Sequence, residues 1–228
     1  MRKKWKYILG MVILAGLIVL EQKAGEVLLQ NLSVSSGEVQ SPVTVVIDPG
    51  HGSSDPGKVG INDLLEKDVN LKIAKEIKKL LEKEGITVVM TREDDSGLGK
   101  SKVEDLKARV AVINDTKPAL AVSIHQNSYG QEEVKGAQTF YFTHSEKGKE
   151  AALILQEKLC AMDSENHRQA KANETYYILK RTEVPTVIVE CGFLSNREEA
   201  QKLGTGEYQE QIAQAVCSGI HGFITKEE

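Results

Sequence analysis

From residue 43 onward, the chain alternates short β-branched segments with longer segments of helical apolar spacing, and this alternation constrains the fold most. Residues 43–47, VTVVI, predict a buried strand. Residues 68–84 carry apolar side chains three and four positions apart, which predicts a helix that ends before Gly85. Strands that alternate with helices of this length favour an α/β sheet covered on both faces.

The same patterns continue to residue 224. Further strands are predicted at residues 86–90, 119–124, 136–142, 176–179 and 186–189. Further helices are predicted at residues 101–114, 147–162 and 207–224. We therefore expect one folded domain over residues 43–225, which is long enough to bury a substantial core.

The N-terminal segment differs from the rest of the chain. Residues 1–7, MRKKWKY, are basic, and residues 8–20 form an uninterrupted apolar run. A basic start before a short apolar core is typical of a secretory signal, whereas a full membrane span needs about 20 apolar residues. Residues 1–20 therefore predict a signal peptide or an uncleaved anchor that contacts the membrane through residues 5–20. A buried N-terminal helix is the less favoured alternative. Residues 21–42, which contain serines, a glycine and a proline, predict a linker.

The charge distribution and the cysteine content argue against a nucleic-acid interface, a disulfide framework and a thiolate zinc site. Four of the 29 basic residues lie in the first seven positions, and the chain has 33 acidic residues, so its body is acidic. An acidic body argues against a nucleic-acid partner. Because the positive end of the N-terminal segment stays inside the cell, the domain is expected outside the cytoplasm, secreted or membrane-associated. Three scattered cysteines without a C-x-x-C pair argue against a disulfide framework or a thiolate zinc site.

Polar side chains follow three of the predicted strands at the points where those strands end. His51 follows the first strand, His125 closes the third, and Glu190 closes the last. In open α/β sheets, ligands bind beyond the carboxyl ends of the strands. The fold prediction and these side chains therefore indicate one common site.

Two imidazoles at one sheet edge suit a catalytic zinc site, which takes three protein ligands and keeps one position open. Glu66 lies between the first strand and its helix, from where its carboxylate can complete a set with His51 and His125. Glu190 would then remain to act on a water molecule. We also consider Asn127 as a hydrogen-bond donor to substrate.

Each of these residues has an ordinary alternative when it is taken alone. His51 fits a loop residue, His125 a buried and satisfied histidine, and Glu66 a solvated or capping carboxylate. Glu190 is harder to explain in this way, because an acid after a buried strand is costly unless it is paired or bound to metal. Asn127 fits a loop cap. We expect structural or surface roles for the remaining histidines and a core position for one strand cysteine: His144, His167, His221 and Cys191.

Arg109 has two interpretations. Its guanidinium can meet a substrate carboxylate, and it also fits an ordinary arginine on the surface of the predicted helix at residues 101–114. The surface arginine is the favoured one.

Five stretches in the right order carry a resemblance to a known family. They are VVIDPGHGSSDPG, LLEKDVNL, AVSIHQN, KGAQTFYF and VIVECGFLSN. With them the chain resembles the zinc-dependent N-acetylmuramoyl-L-alanine amidases of the third amidase type. The resemblance implies a mixed, mostly parallel six-stranded sheet flanked by helices. It also implies Zn²⁺ ligands at His51, Glu66 and His125 and a catalytic glutamate at Glu190, the same residues that the strand ends indicate.

The sequence departs from the family pattern at two points. The family often has a glycine pair after the first histidine, whereas here Gly52 is followed by Ser53 and Ser54, and Cys191 stands where the family often has valine or threonine. Neither change affects a ligand.

The short chain with one apolar N-terminal segment is similar to the sporulation-associated, CwlD-like members of the family. That resemblance implies cleavage between N-acetylmuramic acid and L-alanine in peptidoglycan, on the route to muramic-δ-lactam in the spore cortex. It makes the forespore intermembrane space one candidate location, and it leaves an activating lipoprotein partner open. Two alternatives remain: a peptidoglycan-binding module that is inactive or active only with a partner, and another zinc hydrolase such as a peptidase or a deacetylase. The absence of an H-E-x-x-H helix disfavours the peptidase.

Overall fold

A computed structural model of the chain describes residues 43–226 and, before them, Lys23 alone. The predicted signal or anchor at residues 1–20 therefore lies outside the described residues, as does all of the predicted linker except Lys23. Both stay predictions, and so does the domain boundary at residues 43–225. Within the described part of the chain, no helix is long and apolar enough to cross a membrane.

Strands and helices alternate through the described domain. The strands are β1 (Thr44–Pro49), β2 (Thr87–Met90), β3 (Leu120–Asn127), β4 (Gln138–Phe142), β5 (Lys171–Asn173) and β6 (Thr186–Phe193). The helices are α1 (Glu66–Lys83), α2 (Lys102–Thr116), α3 (Glu146–Met162), α4 (Tyr177–Arg181), α5 (Arg197–Leu203) and α6 (Gly206–Ile224).

The six strands form one mixed sheet in the order β2-β1-β3-β6-β4-β5. The pairs β1–β2, β1–β3 and β3–β6 are parallel. Strand β4 runs antiparallel to β6, and β5 runs parallel to β4. The carboxyl ends of β1, β3 and β6 therefore meet at one edge, which confirms the predicted mixed, mostly parallel six-stranded α/β fold.

Helices cover both faces of the sheet because side chains alternate along each strand. On β1, Val45 and Ile47 face the larger core, which also takes the apolar stripes of α1, α3 and α6. Val46 faces the opposite side, where it joins a smaller core with Val110 of α2 and Ile178 of α4. The helices thus hold the central strands from both sides and leave the carboxyl edge accessible.

The predicted strand at residues 176–179 is wrong, because this segment begins helix α4. The strand in this part of the chain is β5, which lies earlier, at Lys171–Asn173. The Oδ1 atom of Asn173 accepts hydrogen bonds from the backbone N–H groups of Thr175 and Tyr176, at 2.8 and 2.7 Å. This turn ends β5 and starts the helix. A short apolar run such as YYIL carries no periodicity that separates a strand from one helical turn.

Candidate metal centre

Three side chains from separate parts of the chain converge at the carboxyl edge of the sheet. His51 follows β1, Glu66 is the first residue of α1, and His125 lies on β3. Oε1 of Glu66 lies 3.2 Å from Nε2 of His51 and 2.9 Å from Nδ1 of His125. One ligand atom from each residue lies within 4.8 Å of the others. Two imidazole nitrogens and a carboxylate oxygen in this arrangement can share one metal ion.

Two glycines make this convergence sterically feasible. A Cβ atom at Gly50 would lie 2.2 Å from Cε1 of His125, and one at Gly57 would lie 2.5 Å from Oε2 of Glu66. Gly57 also has a φ of +66°, in the left-handed region that favours glycine. The backbone on either side of His51 therefore approaches the other two ligands more closely than any other residue type would permit.

The backbone of His51 is itself strained, because this non-glycine residue has a φ of +63°. Its carbonyl accepts a 2.5 Å hydrogen bond from Nη2 of Arg109. Its Nδ1 lies 3.0 Å from Oδ2 of Asp55. A carboxylate that accepts from Nδ1 leaves Nε2, which faces Glu66, as the ligand atom, and this is the usual arrangement around a metal-bound histidine.

Hydrogen-bond donors surround the carboxylate of Glu66. Its Oε2 accepts a 2.7 Å bond from the backbone N–H of Lys58, and its Oε1 accepts a 3.1 Å bond from that of Gln126. Burial alone would raise the pKa of Glu66, but hydrogen bonds and charge from the two histidines outweigh it and hold that pKa well below its usual range. The residue is therefore ionised, as a metal ligand must be.

Glu190 has the opposite environment. It lies opposite His125 in the β3–β6 register and is 8 % exposed. Its Oε2 is buried and has no hydrogen-bond partner among the described residues. Burial raises the pKa of Glu190 to about 7, although the positive charge of the histidines acts against this. A carboxyl group with that pKa can accept and return a proton near neutral pH.

The electrostatics of His125 also reflect the cluster. Burial would lower its pKa, but the hydrogen bond and charge of Glu66 raise the pKa of His125 to about 9. A metal ion at this position therefore has to displace a proton from the ring.

The cluster fits a metal ion on three observations. The donor set is two imidazoles and one ionised carboxylate, glycines allow the close approach, and a buried carboxylate oxygen of Glu190 lacks a partner beside it. The fold and the cluster together define an α/β protein with a three-residue metal-ligating site at the carboxyl edge of its sheet.

Arg109 is not a surface arginine: the residue is 1 % exposed and its guanidinium is fully engaged. Its Nη1 donates to Oδ1 of Asp48 at 2.8 Å and to the carbonyl of Pro49 at 2.7 Å, and its Nε donates to Oδ2 of Asp105 at 2.6 Å. Asp48 and Asp105 need this charge because they lie in or beside the core. These contacts favour a role for Arg109 in positioning the His51 segment. A contact between Arg109 and substrate stays a prediction.

Asn127 ends β3, beyond a register irregularity that separates it from His125. Its Oδ1 accepts a 2.7 Å hydrogen bond from the backbone N–H of Ser128. This bond gives Asn127 the capping role that was the alternative to substrate binding. Asn127 is not among the residues that line the two cavities at the cluster, and its hydrogen bond to substrate stays a prediction.

Two adjoining cavities flank the cluster and share His51 and His125 in their linings. One, of about 280 Å³, extends along residues 52–55 and the segment 97–102 before α2. The other, of about 340 Å³, extends past Glu190 to Tyr176 and Tyr177. Together they form an open cleft that passes over the three ligands.

Sequence reasoning missed two residues of this site. Asp55 orients His51. The sequence signal for this role is a carboxylate four residues after a histidine in a glycine-containing loop. Tyr176 was assigned to a strand and instead lies at the start of α4, beside Glu190 in the cleft. As expected, Cys191 lies fully buried in the larger core. Burial raises the pKa of its thiol, so Cys191 is no nucleophile.

Comparison with known proteins identifies the family. Residues 45–222 match the Amidase_3 family, described as N-acetylmuramoyl-L-alanine amidase. The chain belongs to this family of enzymes.

Individual relatives agree with this assignment. The chain is 34 % identical to the germination-specific N-acetylmuramoyl-L-alanine amidase of Bacillus subtilis (strain 168), over 99 % of this chain and 98 % of that protein. The solved CwlD amidase from Clostridioides difficile, in complex with the GerS lipoprotein, is 38 % identical, with a TM-score of 0.78 over 81 % of this chain and 99 % of that one. An N-acetylmuramoyl-L-alanine amidase from Clostridium difficile 630 is 30 % identical, with a TM-score of 0.75 over 82 % of this chain and 99 % of that one. These comparisons support the CwlD-like subgroup.

Proposed function

We propose that this chain is a zinc-dependent N-acetylmuramoyl-L-alanine amidase that cleaves the bond between the lactyl carbonyl of N-acetylmuramic acid and L-alanine in peptidoglycan. One observation carries the proposal: His51, Glu66 and His125 lie together beside the buried, unpartnered carboxylate of Glu190 in one open cleft. The catalytic domain in this proposal spans residues 43–225.

The ligands assigned to Zn²⁺ are Nε2 of His51, Nδ1 of His125 and the carboxylate of Glu66. Three such ligands are the usual protein set of a catalytic zinc site. When bound, the ion supplies a Lewis acid that polarises the amide carbonyl and makes water more acidic. Asp55 holds the ring of His51 in the tautomer that offers Nε2.

Glu190 acts as the general base and then as the general acid. Its carboxylate accepts a proton from the attacking water, and it returns a proton to the nitrogen of the departing L-alanine. Its free Oε2 and its pKa of about 7 suit both transfers. Asn127 is proposed to donate a hydrogen bond to substrate.

Several wider aspects of the proposal follow from the relatives. The germination-specific relative from Bacillus subtilis supports a role in the spore cortex, on the route to muramic-δ-lactam. The Clostridioides difficile relative is in complex with a lipoprotein, GerS, which supports a lipoprotein activator here as well. Export by residues 1–20, with membrane contact through residues 5–20, would bring the domain to its polymeric substrate.

The first test concerns Glu190. The Glu190→Gln variant should keep its zinc and its thermal stability while amide hydrolysis of purified peptidoglycan falls by at least a hundredfold. Glu157→Gln, which changes an exposed glutamate on α3, is the matched control and should retain full activity. Near-normal cleavage by Glu190→Gln would remove Glu190 from its role.

The second test concerns the ligands. Zinc content measured by mass spectrometry should be lost in His51→Ala and in His125→Ala, and it should be retained in His167→Ala, whose histidine is exposed. Full occupancy in both cluster variants would refute the ligand set.

The products separate amide cleavage from the alternatives. An amidase releases intact stem peptides from cortex-type or vegetative wall, whereas a deacetylase releases acetate. A binding module that needs a partner would release nothing alone and would release stem peptides only when a lipoprotein is added. Muropeptide analysis by mass spectrometry, with and without such a partner, distinguishes these outcomes.

A further inference from the structure

We propose that Tyr176 is the aromatic platform of a sugar-binding subsite, and that the glycan strand of the substrate occupies the cavity on the Glu190 side of the cleft. The inference rests on the proposed function for the nature of the substrate. Its physical basis is the placement of the Tyr176 ring, the rigidity of that placement, and the contrast between the two cavities.

Tyr176 lies in the cavity where the chemistry would occur. Its side chain lines the space of about 340 Å³ that His51, His125 and Glu190 also line. The residue is 37 % exposed, although it is a large aromatic residue. Burial, with the charges of Glu190 and Glu66, raises the pKa of its phenol.

The ring is held in place before any ligand binds. The backbone N–H of Tyr176 donates a 2.7 Å hydrogen bond to Oδ1 of Asn173, which fixes the start of α4. Behind it, the ring of Phe140 packs edge-on, with 5.6 Å between the ring centroids and an interplanar angle of 63°. These contacts restrict the ring before a ligand binds, which reduces the entropy cost of stacking on it.

The two cavities differ in charge. Beyond the cluster and Glu190, the Tyr176 cavity is lined by uncharged side chains; Gln126, Tyr177 and Ile188 belong to this cavity, and Leu106 and Ile178 line both. The other cavity carries Lys100 and Lys102 as well as acidic groups. A sugar ring is neutral, with an apolar face and a polar rim, and thus matches an aromatic side chain with an apolar body and a hydroxyl tip. A stem peptide carries carboxylates and matches the charged cavity.

The chemistry of the substrate also limits where the sugar can lie. The amide bond to be cleaved is attached to the muramic acid ring through its lactyl group, so that ring lies within a few ångströms of Glu190 when the amide does. Tyr176 lines the same cavity as Glu190 and is exposed there, so it is accessible to that sugar ring.

The test measures binding of glycan strands from which the stem peptides have been removed, by isothermal titration calorimetry with the full chain and added zinc. The Tyr176→Ala variant should bind these strands about three- to tenfold more weakly than the unchanged protein. Tyr176→Phe keeps the ring and should bind within about twofold. Leu153→Ala, which removes an exposed apolar side chain from α3, is the control and should bind normally. The same ordering should appear in KM for amide hydrolysis, with kcat nearly unchanged.

Three results would overturn the inference. They are unchanged binding by Tyr176→Ala, equal losses of binding in Tyr176→Phe and Tyr176→Ala, or no binding of the peptide-free strands by the unchanged protein. In each case, cleavage of intact peptidoglycan by the same preparation would leave the proposed function standing. Conversely, Tyr176-dependent binding without cleavage, also when a lipoprotein partner is added, would support the sugar subsite and contradict the proposed hydrolysis. Thermal unfolding of each variant shows whether a loss comes from misfolding.

Discussion

The buried charge network beneath the cluster offers a quantitative test of how the site is supported. Asp48, at the end of β1, accepts hydrogen bonds from Thr91 at 2.5 Å, from Ser123 at 2.6 Å and from Arg109 at 2.8 Å. Burial alone would raise the pKa of Asp48, but the charge of Arg109 and these hydrogen bonds outweigh it and lower that pKa. Replacing Arg109 by methionine keeps most of its volume and removes the ion-pair partner of this carboxylate, so that Arg92 acts on it through its charge without a hydrogen bond.

The expected cost follows from the burial of both partners, whose side chains are 2 % and 1 % exposed. Removing one member of a buried ion pair costs about 3–5 kcal/mol, so Arg109→Met should lower the free energy of unfolding by that amount at pH 7. Lys107→Met, which removes an exposed charge from the same helix, should change it by less than about 0.5 kcal/mol.

The sign of the pH dependence is also determined. In the unchanged protein, the lowered pKa of Asp48 stabilises the fold above the unfolded-state value of about 4, and this contribution is lost only as the pH falls through the lower folded-state value. In Arg109→Met, the pKa of Asp48 should instead be raised, so the folded variant takes up a proton as the pH falls below neutral. The stability difference should therefore shrink between pH 7 and pH 4.5, by about 1.4 kcal/mol for each unit by which that folded-state pKa exceeds 4.5.

Urea unfolding followed by far-ultraviolet circular dichroism, at both pH values and with a chelator present, measures these differences without a contribution from bound metal. A difference below about 1 kcal/mol at pH 7 would refute the reasoning. A difference that is the same at pH 7 and pH 4.5 would show that the cost comes from lost packing and not from an unpaired carboxylate.

Three further predictions follow from the same geometry. Gly50→Ala should weaken zinc binding at least tenfold in a competition assay, because its Cβ would overlap His125, whereas Gly206→Ala, which has open space around it, should bind normally; equal affinities would refute the close approach. Asp55→Asn should weaken zinc binding by about 10- to 100-fold, because it removes the carboxylate that orients His51; unchanged affinity would deny Asp55 that role. Of the three thiols, only half-buried Cys160 should react with a thiol reagent in the native state, since the other two are buried; rapid reaction of all three would contradict the burial.

Much of this fold was predictable because its strands and helices carry strong local signals. The β-branched run at residues 43–47 and the 3.6-residue spacing over α1 gave the right element types, and Gly85 marks the end of that helix with a φ of +82°. The positions of His51, His125 and Glu190 at strand ends sufficed to place them at one edge, since parallel strands align their carboxyl ends. These features depend on periodicity and topology, which a single sequence records.

The errors have a different physical origin. The strand assigned to residues 176–179 failed because the side chain of Asn173, not the apolar pattern, decides where β5 ends and α4 begins. Arg109 is buried although the sequence of its helix favours a surface arginine at that position. Its guanidinium can be buried because it pairs with the carboxylate of Asp48, which lies 61 positions away in the chain. Contacts between distant polar side chains leave no periodic trace, so such networks are visible only in three dimensions.

The two glutamates at the site illustrate the same limit, and they explain how one cleft can assign two roles to one type of side chain. Glu66 and Glu190 are both buried, and burial acts to raise the pKa of each. Two histidines and two backbone N–H groups surround Glu66 and keep it ionised, whereas Oε2 of Glu190 has no donor among the described residues. Their pKa values are therefore driven apart: that of Glu66 is lowered, which suits the metal ligand proposed for it, and that of Glu190 is raised to about 7, which suits the proposed proton transfer. The number of hydrogen-bond donors around each carboxylate, and not its position in the sequence, separates these two proposed roles.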